Sequence, residues 1–377
     1  MTAPRTRVDG RRGSRLPVHQ FRSHAGRSLE NIPLHQANWI GALNALLREH
    51  NHRHTRKEKD VSFKTMHERR EFYFRFFREL RDSGYNLDPR SLGNRHVQFA
   101  VDRWIERGLS AATIQTYLSF LRSLSYWIGK HGMIQEPGAY VSDPARVRRT
   151  YVALQDKSWS AAGVDAGVIV RAVFAHDPRC GAMLDLIVAF GLRVKEALML
   201  RPHLAVVPAT ATSLSPRAEW YLEVVRGTKG GRCRFVPIDS DAKLKALDRA
   251  QRLVGEGAHL GNPRLDLKAG KAHFYRVMAR FGITNRDLGV TPHGLRHQYA
   301  NDRYESFSGV SSTVRHGPPL DPALDTGARL EVAAELGHAR KEIAGAYLGQ
   351  SYVMRSKRGK VSATTASAEE SEGANAT

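Results

Sequence analysis

Several side chains in one half of the sequence are of the types that bind and cleave phosphate esters. Arg193 stands at the entry of a helix in AFGLRVKEALML, where free main-chain N–H groups and the helix dipole favour an anion. His293 and Arg296 are three positions apart in TPHGLRHQYAND, so they share a face if this stretch begins a helix. An arginine binds two phosphate oxygens at once, and a neighbouring histidine moves a proton near neutral pH. These residue types therefore suit a phosphodiester.

Two more such side chains, His338 and Tyr347, lie nine positions apart in LGHARKEIAGAY. On one straight helix, nine residues span roughly 13 Å and end half a turn out of phase. The pair could then not face one point. Gly337 resolves this if it ends the helix LEVAAEL, because His338 then lies at the junction and Tyr347 on a second helix. The spacing thus predicts a helix end at Gly337.

A glutamate and a lysine could support the same site. Glu196, one turn after Arg193, is placed to hold the guanidinium or the loop before it. Lys229 lies on the glycine-flanked turn GTKGG between the extended runs WYLEVVR and RCRFVPI, which predict a β-hairpin. Each has an ordinary alternative, namely a surface Arg–Glu pair and a solvated turn lysine. The GxxxxGK[ST] spacing is absent, so nucleotide binding is not indicated.

Metal binding is not expected, although two histidine patterns raise it. His293 and His297 stand at i, i+4, the spacing of a zinc pair, but no HExxH glutamate or third ligand accompanies them. The His-rich stretch 50–57 has no partner cluster. Cys180 and Cys233 are far apart, which indicates a reduced protein without a disulfide framework or a Cys-based zinc site. We expect neither a metal nor a cofactor.

The overall composition points to a polyanionic partner. The 377 residues include 58 Lys+Arg against 37 Asp+Glu, a net charge of +21, and nucleic acid is the default partner of so basic a protein. No 18-residue apolar run, secretory segment or lipidation motif is present. We therefore expect no membrane partner and a cytoplasmic protein, associated with the nucleoid when bound to DNA.

The length and the local composition predict two folded domains between two tails. The basic tail at 1–35 is predicted to be disordered, although it could also lie on DNA as an arm. A helical DNA-binding domain follows at 36–132, then a linker at 133–160 that is rich in Pro, Gly and Arg. The domain that carries the site covers 161–355, and a disordered Ser/Ala/Thr/Glu-rich tail covers 356–377.

Two stretches of the first domain have helical periodicity. In HERREFYFRFFRELRDSG, Phe72, Phe76 and Leu80 repeat every four residues, and Gly84 stands where such a helix ends. GLSAATIQTYLSFLRSLSYWIGKHG has a serine N-cap and an apolar stripe, and Gly132 is predicted to end it. At this spacing the aromatic side chains belong to a core more often than to a base-stacking surface.

Taken in chain order, the site residues resemble the signature of the tyrosine recombinase (phage integrase) family. That signature is Arg, Lys, His-x-x-Arg, His or Trp, and a Tyr nine residues later. The matching positions are Arg193, Lys229, His293, Arg296, His338 and Tyr347, in FGLRVKEAL, GTKGGRCRFVPI, HGLRH and LGHARKEIAGAY. The helical first domain, with GLSAATIQTYLSFLRSLSYW, resembles the family's core-binding domain. The likeness covers about residues 36–352.

The resemblance implies a fold, a reaction and partners. The fold is mainly α with a small β-sheet: a helical SAM-like core-binding domain followed by an α+β catalytic domain, the two forming a C-shaped clamp on DNA. The reaction is site-specific cutting and rejoining of DNA through a covalent 3′-phosphotyrosine, without metal or ATP, to integrate or excise a mobile element. The partners are double-stranded DNA attachment sites, a homotetramer on paired sites, and accessory DNA-bending or directionality factors.

The family pattern also implies a role for each residue. Tyr347 would be the nucleophile. Arg193 and Arg296 would bind the non-bridging oxygens and stabilise the charge of the transition state. Lys229 would protonate the leaving 5′-oxygen. The two histidines at positions 293 and 338 would respectively move the nucleophile-side proton and hydrogen-bond the phosphate.

One stretch departs from the family pattern. Arg296 and His338 are 42 positions apart, nearly double the usual gap. The insert SFSGVSSTVRHGPPLDPALDTG, residues 306–327, is rich in Gly and Pro and is predicted to be a surface loop. In this respect the chain resembles the integrases of integrative elements.

Two other functions are compatible with these residues. A type IB topoisomerase shares the catalytic set and relaxes supercoiled DNA alone, and a DNA-binding accessory protein would carry the site without using it. Tyr299 and Tyr352 are rival nucleophiles, but Tyr352 is 14 positions from His338 and fits the spacing poorly.

Overall fold

The computed structural model of the chain describes residues 38–55, 59–214, 216–338 and 340–351, without the side chains of Lys229 and Lys341. The predicted tails at 1–35 and 356–377 lie outside these residues, and so does Tyr352. The chain divides into two compact units between Arg149 and Thr150. In the described residues no helix is long and apolar enough to cross a membrane.

The first unit is helical. Its α-helices are α1 (Trp39–His50), α2 (Phe63–Asp82), α3 (Asn94–Glu106) and α4 (Ala111–Trp127).

Helix α2 confirms the predicted periodicity. The Ser62 side chain caps its N-terminus by accepting from Thr65 N, and Gly84, with φ +90°, follows its C-terminus. Phe72 and Phe76 are buried in the core of this unit, as the spacing predicts. The aromatic stripe therefore serves packing.

The predicted end of helix α4 is wrong. The helix stops at Trp127, and Gly129, not Gly132, takes the left-handed conformation that closes it, with φ +74°. The N–H of Lys130 then bonds back to Ser125 O at 2.8 Å. Because Gly129 is the first residue able to reverse the chain without strain, the helix ends there.

The second unit combines helices with a three-stranded sheet. Its elements are α5 (Ala166–His176), α6 (Pro178–Phe190), α7 (Val194–Met199), β1 (Val206–Pro208), β2 (Trp220–Val224), β3 (Arg234–Pro237), α8 (Asp241–Gln251), α9 (Leu267–Arg280), α10 (Pro292–Ser308), α11 (Pro322–Glu335) and α12 (Gly345–Leu348). Helix α6 is largely buried and packs against α5, α8 and α10. The predicted fold class, mainly α with a small sheet, is confirmed.

The sheet is antiparallel in the order β1–β2–β3. The predicted hairpin is β2 and β3, in which Leu222 pairs with Val236 and Val224 pairs with Arg234. Strand β1 was not predicted, because three residues are too few for an alternating pattern to show. The turn that holds Lys229 joins β2 to β3.

The stretch predicted as a linker contributes side chains to both cores. Tyr140 and Val147 are buried in the core of the first unit. Trp159 is fully buried in the core of the second, and its Nε1–H donates to Thr291 O at 2.7 Å. This bond ties the start of the second unit to the residue before α10.

The prediction of a surface loop at 306–327 is wrong. Its first residues complete α10 and its last ones belong to α11, with a short 3₁₀ turn at Thr313–Arg315 between them. Gly309 ends α10 and Pro322 begins α11, so the Gly and Pro content marks helix ends. Ser312, between the helices, is fully buried.

Candidate active site

The second unit brings five of the six predicted catalytic side chains together. The contacts that join them are Arg193 to His338, Arg296 to Tyr347, and the rings of His293 and His338 to Tyr347. The sixth is Lys229, whose main chain lies in the β2–β3 turn and whose side chain is outside the described atoms. Its part in the site stays a prediction.

Tyr347 lies on the short helix α12 and is buried. Its hydroxyl accepts a hydrogen bond from Arg296 Nε at 3.1 Å. The ring stacks on the imidazole of His338 with centroids 5.6 Å apart and planes 21° apart. A second imidazole, that of His297, lies 4.7 Å from the same ring. The tyrosine oxygen is thus directed at a guanidinium.

Arg296, on α10, is fixed by hydrogen bonds to two main-chain carbonyls. Its side chain is 0% exposed, Nη1 donates to Gly191 O, and Nη2 donates to Leu336 O at 2.6 Å. Burial lowers the pKa of Arg296 to about 10, so it stays charged at neutral pH. Because main-chain carbonyls occupy both terminal nitrogens, the Nε edge is the one that faces Tyr347.

Arg193 precedes α7 and is fixed by Glu196, as predicted. Its Nη1 donates to Glu196 Oε1 at 2.7 Å, and its main-chain N donates to Glu196 Oε2 at 2.8 Å. Its Nη2 lies 3.3 Å from His338 Nε2. The side chain keeps 26% of its surface exposed. Arg193 is therefore a partly exposed cation at the edge of the cluster, held by Glu196.

A third arginine, Arg234 on β3, belongs to the same cluster and was missed from the sequence. Nη1 and Nη2 donate to the two oxygens of Glu196 at 3.0 and 2.7 Å. Both side chains of this pair are buried. Burial alone would raise the pKa of Glu196, but the bonds and charge of Arg234, with the charge of Arg296, lower it to about 2.

A signal for Arg234 was present in the predicted hairpin. Residues 234 and 236 share one face of β3 because side chains alternate along a strand. Val236 is an obvious core residue, so Arg234 had to point inwards as well. A charge on an inward face requires a partner. Glu196, itself on an apolar helix, is the complementary charge.

Gly337 ends α11 as the His–Tyr spacing predicted. It has φ +70°, its N–H bonds to Ala334 O at 2.9 Å, and the N–H of His338 bonds to Ala333 O at 2.8 Å. These two hydrogen bonds together form a Schellman motif, which reverses the chain at a glycine. A Cβ at this position would lie 2.9 Å from Arg234 Cδ. Gly337 thus serves both the helix end and the packing of the arginine.

The Gly337→Ala variant is expected to lose about 1–3 kcal/mol of unfolding free energy, because alanine is strained at positive φ and its methyl group would press on Arg234. Gly309→Ala is the matched control, since Gly309 also ends a helix, has φ +73° and has nothing within 4 Å of its Cβ position. Urea denaturation measures both. Equal losses in the two variants would show that the contact with Arg234 does not matter.

His338 is neutral in this surrounding. Burial, with the charges of Arg296 and Arg193, lowers its pKa to about 3. Since Arg193 can only donate, His338 Nε2 accepts, and the neutral ring carries its proton on Nδ1. Among the described residues this buried Nδ1 has no hydrogen-bond partner. The ring thus holds a donor ready for a ligand.

His293 and His297, one turn apart on α10, complete the surroundings of Tyr347. Desolvation by the surrounding protein, with the charge of Arg296, lowers the pKa of His293 to about 4. Burial, with His293 and Lys157, lowers the pKa of His297 to about 4 as well. The sequence showed the i, i+4 spacing of these histidines but not that His297 would be buried against the tyrosine.

Tyr299 is excluded as a nucleophile by its environment. Its hydroxyl donates to Glu335 at 2.6 Å, and both side chains are buried. Burial and the Glu335 carboxylate raise the pKa of Tyr299 well above its ordinary value. Arg303 also bonds Glu335, at 2.8 and 2.6 Å. Tyr299 is therefore part of a structural ion network.

A possible metal cluster lies outside the site. Asp177, Cys180 and His273 bring ligand atoms within 4.8 Å of one another. Asp177 Oδ1 accepts from Cys180 N at 2.9 Å and caps α6, and Oδ2 lies 2.7 Å from His273 Nε2. Both carboxylate oxygens already have partners, one in the helix cap and one in a side-chain pair with His273. The i, i+4 histidine pair is separate from this cluster. The rings of His293 and His297 are 5.2 Å apart, and both lie next to the ring of Tyr347.

Comparison with protein families places both units in one group. Residues 158–302 match the family model described as Integrase, and residues 48–134 match the model described as Phage integrase, N-terminal.

Curated relatives point in the same direction. The chain is 27% identical over 219 residues to the tyrosine recombinase XerC of Neisseria meningitidis serogroup C, covering 56% of this chain and 66% of the relative. It is 30% identical over 226 residues to the tyrosine recombinase XerC of Xanthomonas campestris pv. campestris, covering 56% and 62%. The match thus spans slightly less than two thirds of each relative.

Among solved structures, the chain is similar to a lambda integrase dimer bound to a COC′ core site. The TM-score is 0.51 and the identity 16%, over 82% of this chain and 93% of that one. It is also similar to a lambda integrase tetramer bound to a Holliday junction, with TM-score 0.50 and 15% identity over 83% and 77%. At these identities the likeness supports the fold.

Proposed function

Since the chain belongs to the tyrosine recombinase family of phage integrases, we propose that it is a site-specific DNA recombinase that works through a 3′-phosphotyrosine. One observation carries the proposal. The hydroxyl of Tyr347 lies at the Nε of Arg296, its ring stacks on His338, and His338 in turn contacts the partly exposed Arg193. A nucleophile, two cations and a hydrogen-bond donor thus lie in one connected cluster.

In the cleavage step, the Tyr347 oxygen attacks the scissile phosphorus. The bond from phosphorus to the tyrosine oxygen forms as the bond to the 5′-oxygen breaks. The phenol loses its proton, the 5′-oxygen gains one, and the products are a 3′-phosphotyrosine and a free 5′-hydroxyl. Attack by a 5′-hydroxyl of another strand reverses these changes and regenerates the phenol. Because one phosphate ester replaces another, the step needs no ATP.

Arg193 and Arg296 supply the positive charge for the transition state. Phosphoryl transfer spreads negative charge over the non-bridging oxygens, and preorganised cations stabilise it. Arg296 is fixed on two carbonyls, so it offers its Nε edge where the Tyr347 hydroxyl now lies. Arg193 offers its exposed side. Glu196 accepts hydrogen bonds from the guanidinium groups of both Arg193 and the buried Arg234. It thereby fixes the position of Arg193.

Proton movements fall to the histidines and to Lys229. His293, with a lowered pKa, is a neutral base on the Tyr347 side and would accept the phenol proton. The Nδ1–H of His338 would donate to a phosphate oxygen. Lys229, placed on the hairpin turn by the sequence, would protonate the leaving 5′-oxygen.

We propose that the protein integrates and excises a mobile element at double-stranded attachment sites. It would act as a homotetramer on two paired sites, in the cytoplasm where that DNA lies. Support comes from the net charge of +21 and from the similar lambda integrase, solved as a dimer on a core site and as a tetramer on a Holliday junction. Accessory DNA-bending or directionality factors would set the direction.

Trapping of a covalent complex tests the function. The protein is incubated, with EDTA and without ATP, with a supercoiled plasmid that carries the DNA flanking its own coding gene. Detergent then stops the reaction. We expect protein linked to DNA 3′ ends, and recombinant plasmid when two sites are present.

A plasmid without the flanking DNA is the control. Relaxation of both plasmids without recombination would identify a topoisomerase. Binding without any linked complex would identify an accessory protein, and either result would overturn the proposal.

A further inference from the structure

The helix that carries Tyr347 is too short to hold its own position. Helix α12 has four residues, and so few residues cannot form a stable helix alone. Its last carbonyls also lack intrahelical donors, as at every helix C-terminus. Other parts of the chain must therefore fix the tyrosine in the site.

Side chains from two places bind these carbonyls. Asn301 on α10 lies with its Nδ2 3.3 Å from Tyr347 O. The hydroxyl of Thr313, in the segment between α10 and α11, lies 2.9 Å from Leu348 O and 2.7 Å from Gln350 O. The carbonyls of Leu348 and Gln350, on either side of Gly349, thus both face the Thr313 hydroxyl, which can donate its one hydrogen to either of them.

Arg329 on α11 binds the same chain end. Its Nη1 and Nη2 donate to Gly349 O and Gln350 O at 3.1 Å each. Its Nε donates to Asp325, which also accepts from Ser351 Oγ at 2.8 Å. Both Arg329 and Asp325 are buried. The chain after Tyr347 is therefore bound on two sides.

The segment between α10 and α11, residues 309–321, is itself anchored. Ser312 donates to the buried Asn301. Arg315 donates to Asp156 at 2.9 Å and to Asp302 at 2.7 Å. Thr313 lies between these anchors, so it presents its hydroxyl from a fixed position.

Gly349 shows how closely the two chains approach. It has φ +79°, and a Cβ there would lie 2.8 Å from Thr313 Oγ1 and 3.0 Å from Val314 N. Such contacts leave no space for a side chain. The approach requires glycine.

We propose that residues 309–321, acting through Thr313, are a positioning element that keeps the Tyr347 hydroxyl at Arg296. Thr313 itself contacts neither the tyrosine ring nor the other proposed catalytic side chains among its described bonds. It acts by fixing the carbonyls that follow Tyr347. This inference gives the insert a role in the chemical step and rests on the proposed function.

The test separates cleavage from binding in Thr313→Val, which keeps the shape of the side chain and removes its hydroxyl. On a nicked duplex with the flanking DNA, we expect single-turnover adduct formation to slow about tenfold, with the dissociation constant for DNA unchanged within about twofold. Thr313→Ser keeps the hydroxyl and should cleave at close to the rate of the wild-type protein. Thermal melting checks that each variant is folded.

Gly349→Ala is a second, independent variant, because its methyl group would push the chain away from Thr313. It should also slow cleavage at saturating DNA. Cleavage by Thr313→Val at the unchanged rate or faster would overturn the inference while leaving the proposed function intact. If the unchanged protein forms no adduct, both the function and the inference fail.

Discussion

The Tyr347→Phe variant is expected to bind its DNA site normally and to form no covalent adduct. Phenylalanine keeps the ring that stacks on His338 and removes only the oxygen that Arg296 contacts. Without that oxygen no bond to phosphorus can form, so the loss should be on the order of 10⁴-fold or more. Adduct trapping on a nicked duplex and a gel-shift titration measure the two properties.

Tyr352→Phe and Tyr299→Phe are the controls for this variant, because they remove the hydroxyls of the rival tyrosines. Tyr352→Phe should form adduct at the unchanged rate. Tyr299→Phe should do so as well, with some loss of stability from its bond to Glu335. Persistent adduct in Tyr347→Phe, or loss of adduct in Tyr352→Phe, would remove Tyr347 as the nucleophile.

The Glu196→Gln variant is expected to lose about 3 kcal/mol of unfolding free energy at pH 7 and most of its cleavage activity. Glu196 is the carboxylate that Arg193 and Arg234 share, and Arg296 lies 4.0 Å from it. Glutamine keeps the shape but leaves buried guanidinium groups without a counter-charge. The lowering of the Glu196 pKa from its ordinary 4.5 to about 2 corresponds to roughly the same energy.

The pH dependence of this loss provides a sharper check. The pKa of Glu196 is lower in the folded protein than in the unfolded chain, so its contribution is present above pH 4.5 and declines as the pH falls towards 2. The stability difference between the unchanged protein and Glu196→Gln should therefore shrink from pH 7 to pH 3.5. Glu256→Gln, at an exposed position, is the control. A difference that does not change with pH would contradict the assigned ion pairs.

Much of the site follows from local sequence rules. The nine-residue spacing of His338 and Tyr347 required a helix end, and Gly337 was the residue able to provide it. The pairing of Glu196 with Arg193 followed from one helical turn. In the first unit, the four-residue repeat of Phe72 and Phe76 identified α2 and its buried face.

What the sequence did not reveal depends on contacts between distant elements. Arg234 enters the site because the register of β3 turns it inwards towards a helix about forty positions earlier. Ser312 and Thr313 are polar residues in a stretch rich in Gly and Pro, so no apolar pattern marked Ser312 as buried or Thr313 as a contact of a distant segment. Their partners, Gln350 and Asn301, are known only once the chain is folded.

The three neutral imidazoles around Tyr347 have a thermodynamic consequence. The pKa values of His293 and His297 are lowered to about 4, and that of His338 to about 3, in a site surrounded by positive charge. A phosphate that enters brings negative charge, which favours the protonated imidazole. Phosphate binding and proton uptake are then linked, and each promotes the other. Binding of the phosphate would therefore be favoured by acidic solution, in which His293, once protonated, could no longer accept the proton of Tyr347.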